Sequence, residues 1–241
     1  MNSRFSLVFV ASLGFGISSG RANFHVMQVE QVIGSVEGNT SAQAIMLRLR
    51  SGGQNVVTNG QLKAYDANGA NPVTLWNVAV TSPANSAAGA NVLFTSTAFD
   101  SLMASVPGYS KDFNLTGTIP ASYFAAGKVT WESDAGAIEW ALAFGNYAGT
   151  NTGATTNTTG ASGNFGAPFA SGLRTTGAEG IRLSIAASAL SSGNSSDYAL
   201  SNPAMVRNNA GTSFTVVPEP CVAALLGVFG VGALAFWRRR A

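Results

Sequence analysis

Glu132, Asp134 and Glu139 fall close together in the sequence, and Trp140 follows the last of them. Neighbouring carboxylates are the groups a glycoside hydrolase uses. One, held protonated, gives its proton to the leaving oxygen, and the other acts as base or nucleophile. Sugar sites also place aromatic rings beside such carboxylates. These three residues are therefore the acid/base set to consider if the chain is a hydrolase acting on polysaccharide. The opposing reading gives Asp134 to a turn and leaves Glu132 and Glu139 facing solvent on two paired strands. That second reading is preferred, and with it a non-catalytic protein.

Other chemistry is sparse. A Ser-His-Asp or Cys-His arrangement would have to use His25, the single histidine. It lies near the start of the exported chain, where a terminus frays and holds a base poorly. Cys221 is the single cysteine, so an internal disulfide and a Cys/His zinc cluster are both excluded. The stretch Asp66-Ala-Asn-Gly resembles part of a calcium loop but lacks the later ligands and the closing glutamate. It reads as an Asx or hairpin turn, with a surface calcium site as the alternative. Asn39, Asn114, Asn157 and Asn194 each begin an acceptor triplet for N-glycosylation, as chance provides in a chain rich in Asn, Ser and Thr. No metal and no cofactor are expected.

The elements that would carry these residues read as strand after strand. Residues 42–50 alternate, with Ile45, Leu47 and Leu49 on one face and Met46, Arg48 and Arg50 on the other. Residues 61–65 and 73–78 flank the turn-rich stretch 66–72, and residues 128–132 and 138–144 flank 133–137, so each pair predicts a hairpin. Further strands are predicted at 92–97, 180–186, 197–200 and 213–217, with short helical turns near 99–105 and 120–126. Trp76, Trp131 and Trp140 sit at alternating strand positions that suit core packing better than a carbohydrate platform. Residues 149–163 are low in complexity and without apolar periodicity, which predicts a long exposed loop inside the domain or a linker between two. Many short strands with Gly and Asn turns predict an all-β fold, a β-sandwich ectodomain over residues 23–216.

Charge excludes one class of partner. The net formal charge is +2, yet only 10% of residues are charged. Five of the 13 basic residues are Arg4, Arg21, Arg238, Arg239 and Arg240, at the two ends. With Glu219 of the tail also set aside, eight basic residues face ten acidic ones in between. No basic stripe with interleaved aromatics remains there, so no nucleic-acid partner is expected.

The ends carry an address. Arg4, the apolar run 5–17 and the small residues Gly20 and Ala22 follow the order of a signal peptide cut before Asn23, giving a leader over residues 1–22. At the other end, residues 221–237 hold no charge and would span about 25 Å as a helix, at the short end of what crosses a bilayer. Trp237 is placed as an interfacial aromatic. Arg238, Arg239 and Arg240 put that end in the cytoplasm by the positive-inside rule, and they act as a membrane stop. A buried C-terminal helix would be amphipathic, whereas this run is apolar all round. Cys221 reads as a small apolar member of that run.

The sequence Val217-Pro218-Glu219-Pro220, the apolar span and the terminal arginines resemble the PEP-CTERM sorting signal of Gram-negative bacteria, over residues 217–241. The resemblance implies export, cutting by signal peptidase, and a transient inner-membrane anchor. It also implies recognition of Pro218, Glu219 and Pro220 by an exosortase, a transpeptidase-like membrane enzyme, with transfer to the cell surface or extracellular matrix. Extracellular polysaccharide is the partner that such a setting suggests. Two prolines hold the motif extended and unable to join the following helix, which leaves its backbone open to an enzyme. Residues 24–33 followed by 43–50 are similar to the opening of lamin-tail-like, immunoglobulin-type domains, which strengthens the expectation of a sandwich and implies no activity.

Overall fold

The computed structural model describes residues 26–153 and 163–216. Strand alternation dominates it, and the fold is all-β, with two short α-helices among the described residues. Six strands form one sheet: β1 (Met27–Ile33), β2 (Ala44–Leu49), β5 (Asn91–Thr95), β6 (Phe113–Asn114), β9 (Gly180–Leu183) and β10 (Tyr198–Ser201), in the order β10-β9-β1-β2-β5-β6. A second sheet has the order β4-β3-β7-β8, from β3 (Gly60–Tyr65), β4 (Val73–Trp76), β7 (Ala126–Ser133) and β8 (Ile138–Gly145). A separate hairpin pairs β11 (Met205–Arg207) with β12 (Ser213–Thr215). Among these strands pairing is antiparallel except between β5 and β6.

One apolar cluster draws on both sheets. Met27, Val29, Ile45, Leu47, Leu49, Val92 and Phe94 from the first meet Leu62, Leu75, Val129, Trp131, Trp140, Leu142 and Phe144 from the second. Ile45, Leu47 and Leu49 point into it, as their alternation predicts. Trp76, Trp131 and Trp140 are core residues, no more than 1% exposed. Gly60 marks how closely β3 approaches: a Cβ there would come within 2.2 Å of the Trp131 ring. The phenol of the buried Tyr198 accepts from Trp140 Nε1 at 2.9 Å and donates to the Val29 carbonyl at 2.6 Å, joining the sheets through one hydroxyl.

The six-stranded sheet buries its other face as well. Ile33, Ala44, Met46 and Leu93 pack beneath α1 (Thr97–Met103), through Phe99 and Met103, and beneath the β11–β12 hairpin, through Val206 and Phe214. The start of α1 is fixed by Ser96, whose extended backbone and hydroxyl cap the Phe99 N–H at 3.2 Å. β1 serves both cores because its pairing with β2 shifts between Val29 and Gln31, leaving Glu30 as a bulge. Strict alternation from Met27 and Val29 would send Ile33 inward. The extra residue instead turns Val32 into the inter-sheet core and Ile33 into the outer one.

The predicted strands at 42–50, 61–65, 73–78, 92–97, 128–132, 138–144, 180–186, 197–200 and 213–217 all appear, those at 61–65, 128–132 and 138–144 slightly longer and the rest shorter or shifted at their ends, with residue 217 outside the described residues. Helical turns form at Thr97–Met103 and Ala121–Tyr123. At the low-complexity stretch, the Gly153 N–H donates to the Gly163 carbonyl and Phe165 to Asn151, so its two ends lie side by side.

Candidate functional site

The β7–β8 hairpin carries the three candidate carboxylates. Asp134 stands exposed in its turn, held by its backbone N–H on the Asn59 carbonyl at 3.1 Å. The turn itself is closed by Ser133, whose Oγ accepts from the Ala137 N–H at 3.0 Å and whose carbonyl accepts from Gly136. Asp134 thus stands in the turn, and the bonds that close the turn come from Ser133.

Glu132 does not face solvent; it is 1% exposed. Its register opposite Gln61 sets Lys63 and Tyr65 of β3 on the same face. Tyr65 OH and Thr130 Oγ1 both donate to Oε1, each at 2.6 Å, and Lys63 Nζ lies 3.1 Å from Oε2 as an ion pair. Lys128, two residues beyond Thr130 on this face, is also buried. Its ammonium donates to the Thr150 carbonyl at 2.9 Å and lies 4.8 and 5.4 Å from the ring centres of Tyr65 and Tyr147. Burial lowers the Lys128 pKa, with Glu132 partly restoring it. Burial, then Glu132, raises the Tyr65 hydroxyl well above the usual phenol range, and burial, then Asp66, pushes Tyr147 up to about 12.

Glu139 answers to a different cation. It lies where the pairing of β7 and β8 shifts, beside the Trp131 and Trp140 pair, and is half-buried. Burial raises its carboxyl above the ordinary range, and the Arg50 guanidinium opposes that rise. Arg50 itself is lowered by burial and raised by Glu139, and its guanidinium sits 6.0 Å from the Trp140 ring centre. The hairpin therefore sends its two glutamates to separate partners, Lys63 and Arg50, and one of them is shut away from any substrate. A glycosidase needs two carboxyls facing one accessible cleft.

The Asp66 loop is a turn. Oδ1 accepts from the backbone N–H of Asn68 and Ala70, each at 2.9 Å, and Oδ2 from the Asn71 amide at 2.6 Å; the Ala70 bond first, then that of Asn71, holds the carboxyl below its usual value. Among the described residues no three Asp, Glu, His or Cys side chains gather as metal ligands would, and no helix is long and apolar enough to cross a membrane. His25, Cys221, Pro218, Glu219, Pro220, Arg238, Arg239 and Arg240 lie outside the described residues.

Sequence reasoning missed two polar centres. Glu30, at the bulge, receives the Asn91 amide and pairs with Arg182 at 3.3 Å and Arg48 at 3.9 Å. A glutamate amid the apolar residues of 26–33 was the available signal. Asn194 caps the edge of β8, accepting from the Ala143 N–H at 2.8 Å and donating to the Ala141 carbonyl at 3.0 Å. Its acceptor triplet is the one mark it carries in sequence, and that mark belongs to an exposed residue, whereas Asn194 is fully buried. No protein-family model matches the chain, and no curated protein matches it.

Proposed function

We propose that this is an exported cell-surface or matrix protein, its tail a temporary anchor and address, its β-sandwich ectodomain acting by binding, adhesion or structure. The observation that carries the reading is the order of parts directly after Val216: Pro218-Glu219-Pro220, an uncharged run over 221–237, then Arg238, Arg239 and Arg240. The run holds the chain in the inner membrane with its N-terminal side outside, the arginines stop it, and the stiff motif at the membrane face is the substrate of an exosortase-like transpeptidase. Signal peptidase removes residues 1–22. The sandwich reading is supported by the single apolar cluster that both sheets build, and an immunoglobulin-like kinship remains part of the proposal.

The non-catalytic reading is supported by the way the hairpin carboxylates are used, Glu132 on Tyr65, Thr130 and Lys63, and Glu139 toward Arg50. Polysaccharide is the ligand class the surroundings suggest. One observation favours a secreted glycosidase-like hydrolase instead: the raised Glu139 carboxyl, which moves in the direction a general acid requires.

The test is the intact mass of the protein recovered from its native cell surface and medium. A mass lacking residues 1–22 and everything after the Pro-Glu-Pro region is expected. Replacing Pro218, Glu219 and Pro220 together should leave the tail attached and the protein in the membrane, and normal release of that variant would sink the sorting claim. Loss of a measurable polysaccharide hydrolysis on Glu139→Gln would promote the enzyme instead.

A further inference from the structure

The fold fixes where the chain leaves the domain. Val216 is fully buried in the outer core beside Ile33, Val36, Ala178 and Ala204, and its N–H donates to the Ala204 carbonyl at 2.9 Å. Ala204 in turn donates to the Ala178 carbonyl, and Glu37 to that of Gly177. These bonds gather the turns at 34–42, 174–179 and 202–204 into one pole, at the end of β1. Val26 lies at the other end of the same strand, bonded through its carbonyl to Arg50 and through its N–H to Gln54. The 7 residues of β1 separate the two poles by about 23 Å.

Four residues, 217–220, lie between Val216 and the apolar run, and fully extended they reach at most about 14 Å. Resting on the reading of that run as a membrane anchor, we infer that the domain stands on the outer surface of the membrane with the 34–42, 174–179 and 202–204 pole toward the lipid headgroups. The partner of this pole is a bilayer surface. Its chemistry suits contact without insertion: Asn39, Thr175, Thr176 and Asn202 are uncharged, Arg174 is paired with Glu179 at 3.2 Å, and the exposed Glu37 adds one carboxylate that stays at the headgroup level. The pole of Val26, with the turns at 50–53 and 84–89, then faces the medium and is the end open to extracellular ligands.

The experiment places a fluorophore on single cysteines in the whole chain, tail included, after Cys221→Ala. Thr176→Cys marks the near pole and Ser86→Cys the far one, both exposed. The protein is reconstituted into phosphatidylcholine and phosphatidylglycerol vesicles carrying a headgroup quencher. Quenching at 176 about twofold or more above that at 86 is expected, because the tether holds one label close and sets the other about a strand length away. Ten Gly and Ser residues inserted after Val216 should abolish the difference. Protein that sediments with the vesicles but is quenched equally at both positions overturns the orientation alone. Protein that stays in the supernatant overturns the anchor, and the orientation with it.

Discussion

The two sheets dispose of their outer faces in opposite ways. On the six-stranded sheet Ile33, Ala44, Met46 and Leu93 lie under Phe99, Met103, Val206 and Phe214, covered by apolar contact. On the four-stranded sheet Lys128, Thr130 and Glu132 are as thoroughly hidden, but by pairing with Lys63, Tyr65 and the Thr150 carbonyl. An apolar face accepts any cover of matching shape. A polar face must be matched atom by atom, because each stranded donor or acceptor is costly. The first arrangement supplies stability; the second mainly fixes which neighbour belongs where.

The comparison can be pressed from its strong side first. Phe99→Ala removes a fully buried ring from the apolar cover and should cost about 3–5 kcal/mol in urea unfolding. A loss below about 1 kcal/mol would mean that α1 is a passive lid. Glu132→Gln keeps an acceptor for Tyr65 and Thr130 but strips the charge facing Lys63, and should cost about 1–3 kcal/mol. Adding Lys63→Met to Glu132→Gln should recover most of that, since it removes the cation left without its partner while the amide oxygen still accepts from Tyr65 and Thr130. Failure of the double variant to recover would make the polar face a net source of stability and erase the contrast.

The smallest effect separates the two hairpin glutamates. A carboxyl whose pKa is raised on folding binds its proton more tightly in the native state. Glu139 thus contributes stability that is present below the ordinary glutamate value and lost as pH rises through the raised one. Glu139→Gln should flatten that part of the stability-against-pH curve between acid and neutral pH. An unchanged slope would show that Glu139 titrates as an exposed group.

Alternation made most strands legible. Residues 45–49 and the two hairpins at 66–72 and 133–137 could be read because period two and turn chemistry are local signals. β6 and β11, of 2 and 3 residues, are too short to show a period. The solvation of Glu132 was misjudged for a different reason. Period two tells which face a residue joins, whereas what meets Glu132 there, Lys63 and Tyr65 of β3, is set by a pairing register that local sequence does not carry. The sorting residues are the reverse case, legible as sequence and outside the described fold.

The bulge at Glu30 makes β1 a strand of two parities, odd-numbered against the inter-sheet core before it, at Met27 and Val29, and even-numbered after, at Val32. An ordinary strand that slips by two residues regains its pattern. Here a slip of any length drags the parity switch away from Arg48, Asn91 and Arg182, which recognise it. The strand consequently has a single address in the sheet, written by one supernumerary residue and checked by its charge.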